Sequence, residues 1–237
     1  MADSKQKRVA LWGIPRSVSS AMARVMLNSG VKTKILYEPF ADPYYLGPER
    51  TSARYASREA DPEKSYEKTK SLVEQPYTGY DLVFLKEMAY QMSGRLTEEW
   101  LPSWTYFDPA EAGYQDLAEL SRLVKKLGQK MVVLDADDLL DQPEAMLRAY
   151  CRETGLEYRD SMLHWKPMTD TEMKEIYRTD FWGSGWTGGV ARSSTITRQP
   201  VKPLPDDVSK EDFAVLEKTI QDSLPFYEEL HALRLKP

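Results

Sequence analysis

The sequence predicts an α/β protein, a three-layer α/β/α domain around a short, mainly parallel sheet. Two observations carry this. Short apolar runs at 8–14 (RVALWGI), 32–38 (KTKILYE), 81–88 (DLVFLKEM) and 130–136 (KMVVLDA) alternate with segments of helical periodicity. The chain also opens as strand, tight loop, helix, strand, which is the order of a βαβ unit.

Each element has its own signal. The first run reads as a buried strand. After it, Met22, Val25, Met26 and Ser29 share helical spacing, and Gly30 suits a C-terminal stop. The second strand, 32–38, ends at Pro39. Residues 41–62 read as irregular, with prolines at 43, 48 and 62. An exposed helix fits 63–75, and 81–88 is the third strand, followed by a short helix to about Arg95. Residues 100–109 form an aromatic, proline-rich connection. Asp108, Pro109 and Glu111 give a capping side chain, a first-position proline and an acid in the first turn, so a helix is expected from there to Leu127, stopped by Gly128. The run at 130–136 reads as a fourth strand. Asp141 and Pro143 start a helix ending at Gly155, 165–205 reads mostly as loop, and an amphipathic helix fits 209–232. The expected organisation is one domain over 1–237: a core at 8–167, a loop-rich flap at 168–208 and a C-terminal helix at 209–233.

Composition excludes several classes. Of the 237 residues, 41% are hydrophobic and 29% charged, which fits a soluble globular chain and not a disordered one. The net charge of −5 gives no basic footprint for nucleic acid. Cys151 is the one cysteine, so neither an internal disulfide nor a multi-cysteine metal site is available, and a reducing, cytoplasmic setting is expected. No run approaches the roughly 18 apolar residues of a membrane span. The N-terminus lacks the long apolar centre of a secretory signal.

The chemistry concentrates in GIPRSVSSA, residues 13–21, between strand one and helix one. A loop there presents free backbone N–H groups at the positive end of a helix, where an anion binds. Ser17, Ser19 and Ser20 add hydroxyls, and Arg16 adds a fixed cation with a planar fork of donors. A serine-capped helix with an exposed arginine is the plainer alternative. The segment has no Gly-Lys pair, so it is not the nucleoside-triphosphatase loop.

PRSVSSA resembles the 5′-phosphosulfate loop of the sulfotransferase fold, a P-loop-like superfamily. YEPF (37–40), VFLKEM (83–88), VVLDADDLLDQPEAMLRAYC (132–151) and GLEYRDSMLHWKP (155–167) are similar to a bacterial and fungal sulfotransferase-like branch, and GSGWTGGVARSSTIT (183–197) fits it more loosely. The resemblance implies sulfuryl transfer from 3′-phosphoadenosine-5′-phosphosulfate (PAPS) to a hydroxyl of a small molecule, without a metal. It puts Pro15, Arg16, Ser17, Val18, Ser19 and Ser20 around the sulfate-bearing end of PAPS. It also puts Glu38 in the place of a catalytic glutamate and Lys86 near the bridging oxygen. A general base and fixed positive charge are what the transfer needs. The plainer alternatives are a partly exposed strand-end acid for Glu38 and a solvent-facing strand terminus for Lys86. On this placement, Glu38→Gln is expected to lose activity with little loss of stability.

One family feature has no counterpart. The 3′-phosphate is held by an Arg and a Ser about eight residues apart behind a further strand, and the interval after KEM carries no such strand. Arg95 and Ser103 have the separation without the strand, while Arg192 and Arg198 are candidate substitutes. A second reading is therefore a PAPS-independent base catalyst on the same scaffold, acting in cyclisation, lactonisation or dehydration of a polyketide-like secondary metabolite. A third is a non-catalytic binder of an anion or a protein partner. A homodimer is compatible with the aromatic loops.

The remaining candidates have plain readings. DADDLL (135–140) is expected to cap and solvate a helix in preference to binding a metal. His164 is expected to be packed or capping, His231 to be on the surface, and Cys151 to be core. Tyr177, Phe181, Trp182 and Trp186 form an aromatic cluster that suits a substrate cover, a packed flap or a subunit interface.

Overall fold

The computed structural model describes residues 6–15, 17–93, 109–178, 187–198 and 209–237. Three strands form its sheet: β1 (Lys7–Gly13), β2 (Thr33–Tyr37) and β3 (Leu82–Met88). All pair in parallel, in the order β1-β3-β2. Lys7 aligns with Leu82, Gly13 with Met88, and Tyr37 with Lys86. Leu82 to Glu87 are all buried because β3 is central and covered on both faces.

Ten helices accompany these strands among the described residues. They are α1 (Ser19–Leu27), α2 (Ala41–Tyr45), α3 (Tyr66–Glu74), α4 (Tyr90–Ser93), α5 (Tyr114–Lys126), α6 (Ala136–Asp141), α7 (Pro143–Thr154), α8 (Asp170–Tyr177), α9 (Gly188–Arg192) and α10 (Lys210–Ala232). Several start where a side chain satisfies an orphan backbone donor. Ser65 accepts from Lys68 N–H, Asp135 from Asp137 and Asp138 N–H, and Ser209 from Asp212 N–H. α7 ends at Gly155, whose φ of 65° terminates the helix without a Cβ clash.

The two sheet faces carry separate cores. Val9, Leu11, Ile35, Leu82 and Phe84 pack with α1 and with Met146, Leu147, Tyr150 and Cys151 of α7. Leu36, Val83 and Leu85 pack on the other face with Trp12, Val73 and Tyr77. Each fully buried large apolar side chain contributes about 1.5–3 kcal/mol. A third cluster, Ala41, Tyr44, Tyr45, Leu46 and Tyr90, lies beyond the carboxyl ends of the strands. α10 packs on α5 through an Arg122–Glu229 ion pair and Tyr114 edge-on to Tyr227.

The structure corrects several expectations. Residues 130–136 are not a strand. Val133 makes a single parallel bridge to Arg234, and Asp135 starts α6 at once, which leaves too short a stretch for a ladder. Pro109–Ala112 is a short 3-10 turn, and Gly113 at φ 72° separates it from α5. Within the segment read as loop, α8 and α9 are helical. α8 has a capping box between Thr169 and Glu172. His164 is exposed, neither packed nor capping by its ring. Cys151 is a buried free thiol, and DADDLL caps α6 as expected. No helix among the described residues is long and apolar enough to cross a membrane.

Candidate active site

The carboxyl ends of parallel strands collect the functional groups of such folds. Here β1 leads into the anion loop, β2 into Glu38, and β3 carries Lys86 two residues before its end.

The loop is tightly folded on β1. A Cβ at Gly13 would lie 3.2 Å from Ser17 Oγ and from Ser19 Cβ, so glycine permits the close approach. Ser17 Oγ donates to the Ile14 carbonyl at 2.7 Å, which spends its proton inside the loop. Val18 adopts φ 61° at the helix start, and α1 has no side-chain cap. The backbone N–H groups of Val18, Ser19 and Ser20 make no hydrogen bond among the described residues. That is a set of unspent donors at a helix N-terminus, the requirement for holding the phosphosulfate end of PAPS. Arg16 lies outside the described residues.

One strand away, Lys86 Nζ donates to Glu38 Oε1 in a close ion pair. Lys86 is fully buried, whereas the Glu38 side chain is 21% exposed, so the carboxylate roofs the ammonium and faces outward. Met88 Sδ stands 3.5 Å from Nζ, and Nζ lies 5.0 Å from the centroid of the Tyr37 ring. The plainer alternative of a solvent-facing lysine is therefore excluded. The side chain points inward from a central strand, and the carboxylate partner makes that burial tolerable.

Tyr37 joins the two halves of the site. Its hydroxyl shares a 2.6 Å hydrogen bond with Ser20 Oγ. Burial first, and then the Glu38 charge, raise its pKa well above that of a free tyrosine, so it stays a neutral hydroxyl. Tyr177 meets the Tyr37 ring edge-on at 4.7 Å and donates to the Ser20 carbonyl at 3.2 Å. Arg178, the next residue, pairs with Asp42 at 2.8 and 2.9 Å.

Glu87 lies in the same strand as Lys86 and is wholly buried. Burial and the Glu38 charge push its carboxyl up to about 8, against the pull of two backbone N–H donors and Lys86. Tyr37 and Glu87 are neighbours of the ion pair that the motif reading passes over, while Tyr177 comes from the aromatic cluster. An adjacent Lys-Glu pair inside a run whose other residues are apolar, VFLKEM, is the signal that marks Glu87.

The other candidates make no hydrogen bond or ion pair with this group among the described residues. Arg192 is exposed on α9, a helix that packs against α1, and makes no hydrogen bond or ion pair among the described residues, so it is left available to a ligand. Arg198 pairs with Asp137 and Asp141. Arg95, Ser103, Phe181, Trp182 and Trp186 lie outside the described residues. No group of three or more His, Cys, Asp or Glu side chains among the described residues could hold a metal. The fit to PAPS is thus divided. The loop has the free donors that the sulfate-bearing end needs, and of the arginines proposed for the 3′-phosphate Arg192 is unpaired among the described residues while Arg198 is tied to carboxylates.

Comparison with known proteins supplies the family. A sequence profile described as the sulfotransferase domain matches residues 108–234, more than half of the chain. The chain belongs to the sulfotransferase family. The matched segment of this sulfotransferase-family chain starts after the loop, Glu38 and Lys86, so their roles rest on geometry and on the loop resemblance. Among curated proteins, the chain is 27% identical over 135 residues to branched-chain-amino-acid aminotransferase-like protein 1 of Arabidopsis thaliana. The alignment covers 56% of this chain and 22% of that protein, so the chain spans about a fifth of that relative's length. No solved structure matches.

Proposed function

We propose that this sulfotransferase-family chain transfers a sulfuryl group from PAPS to a hydroxyl of a small molecule. The observation that supports the reading best is the meeting, at one end of the sheet, of a base, a buried cation and unspent loop donors. Glu38 removes the proton of the attacking hydroxyl; its outward face is open to a substrate, and its inner oxygen is anchored by Lys86. Lys86 supplies fixed positive charge where negative charge grows on the leaving oxygen. Val18, Ser19 and Ser20 N–H hold the 5′-phosphate, and Arg16 adds charge from the same loop. PAPS, when bound, supplies the activated sulfuryl group.

A second reading is favoured by one observation. Arg54, Arg178 and Arg198 are each tied to a carboxylate, Glu111, Asp42 and the Asp137–Asp141 pair respectively. In that reading Glu38 abstracts an acidic proton, and the loop stabilises an enolate or carboxylate without PAPS.

Calorimetric titration with adenosine 3′,5′-bisphosphate separates the two. Micromolar binding that is lost in Arg16→Ala is the expected result. No binding up to millimolar nucleotide overturns PAPS dependence and leaves the base-catalyst reading.

A further inference from the structure

Glu38 reaches Lys86 by an irregular path. Side chains on a strand alternate between faces. Tyr37 stands opposite Lys86 in the ladder, and the two share the α1 face. A regular continuation of β2 would send Glu38 to the opposite face. Glu38 instead has φ 45°, in the left-handed region that residues other than Gly, Asn and Asp seldom adopt. That single reversal turns its carboxylate back onto Lys86.

Three hydrogen bonds hold the reversal. Glu38 N–H donates to the Lys86 carbonyl at 2.7 Å, and Ala41 N–H to the Glu38 carbonyl at 3.2 Å. Phe40 N–H donates to Glu87 Oε2 at 2.8 Å. Only the third depends on a side chain. The other Glu87 oxygen accepts Met88 N–H at 2.9 Å, which fixes the carboxyl to the end of β3. Phe40 is further held by stacking on Tyr66, 6.1 Å between ring centroids. A carboxyl with no exposed surface is costly to bury, and leucine or methionine would suit this apolar strand without that cost.

We infer that Glu87 is a positioning residue. It clamps the turn at residues 38–40 to the end of β3, and so aims the Glu38 carboxylate at Lys86. The inference rests on the reading of Glu38 and Lys86 as the working pair, but its test reads their geometry and needs no substrate.

The test is competitive acetylation of the full-length folded chain by acetic anhydride, read by peptide mass spectrometry. Lys86 is compared with the exposed Lys68 and Lys218. Glu87→Met fills the same space without an acceptor, and Glu87→Gln keeps one oxygen for Phe40 N–H. In Glu87→Met the Lys86 rate, relative to the exposed lysines, should rise at least about tenfold as the pair opens locally. In Glu87→Gln it should stay within about threefold of wild type. An unchanged Lys86 rate in folded Glu87→Met, or equal rates in the two variants, overturns the inference. If Glu87→Met does not fold, hydrogen exchange at the Phe40 amide of the wild-type chain decides. Protection of at least about a hundredfold is expected, and exchange at the rate of an unbonded loop amide overturns the clamp. A chain that fails to bind adenosine 3′,5′-bisphosphate yet shows the Lys86 response loses the PAPS reading and keeps this one.

Discussion

Tyr37 and Ser20 share a hydroxyl-to-hydroxyl hydrogen bond of 2.6 Å, and it ties the first turn of α1 to the end of β2. The ring that carries this hydroxyl also packs beside Lys86. Tyr37→Phe keeps the ring and removes the bond. A buried hydrogen bond of this kind contributes about 1 kcal/mol. The expected outcome is a small fall in melting temperature and a severalfold loss of affinity for adenosine 3′,5′-bisphosphate, measured by calorimetry. Unchanged affinity would separate Tyr37 from the loop.

The Glu38–Lys86 pair changes the expected behaviour of Glu38→Gln. A strand-end acid in solvent would leave stability alone. Here the substitution strands a fully buried ammonium. Breaking a buried pair costs about 3–5 kcal/mol, and the 21% exposure of Glu38 lowers the figure, to about 1–3 kcal/mol. Glu38→Gln should therefore lose both turnover and stability. The double variant Glu38→Gln/Lys86→Met should recover most of the stability and none of the turnover. Denaturant unfolding of the four-member cycle measures the coupling.

Gly13→Ala tests the loop separately from the pair. The new methyl would meet Ser17 Oγ and Ser19 Cβ at 3.2 Å, so the loop must move by a few tenths of an ångström. Global stability should fall by about 1 kcal/mol or less, while nucleotide affinity should fall about tenfold or more, because the loop donors lose their alignment. Equal losses in both would make Gly13 a packing residue only.

Glu87 gives stability a pH dependence. Its carboxyl is raised to about 8 in the folded chain from an ordinary value of 4.5. The folded state therefore holds a proton that the unfolded state releases between those values. Stability from this group is fully present below about pH 4.5 and is lost as the pH rises through about 8, at up to about 1.4 kcal/mol per pH unit. Melting temperature should decline over that window, and Glu87→Gln should flatten the decline. An unaltered slope in the variant would assign the titration to another group.

Much of the fold is legible in the sequence because its signals are local. β1, β2 and β3 are compact apolar runs, and Ser65, Asp135, Ser209 and Gly155 mark helix ends with their own side chains or lack of one. Residues 130–136 mislead because a run such as MVVL reads as strand whether or not a partner lies beside it, and among the described residues only Arg234 bridges to it. α8 is hidden in a segment rich in polar residues, although the Thr169-x-x-Glu172 spacing is a readable start signal. In the site, Glu38 and Lys86 are legible singly. Their contact is not, because it depends on a left-handed glutamate held by Glu87, and neither feature follows from local preference.

The strand order has a consequence for how the chain acquires its activity. β1 and β2 lie close in sequence but do not pair with each other, and among the described residues each pairs with β3. Closure of the Lys7–Leu82 pairing spans a long stretch of chain, so loop entropy opposes it and assembly is slow compared with the formation of α1. On a growing polypeptide, the two outer strands wait for the central one to emerge. The strand that completes the sheet is also the one that brings Lys86 to Glu38. Completion of the sheet and formation of the Glu38–Lys86 ion pair are therefore a single kinetic event.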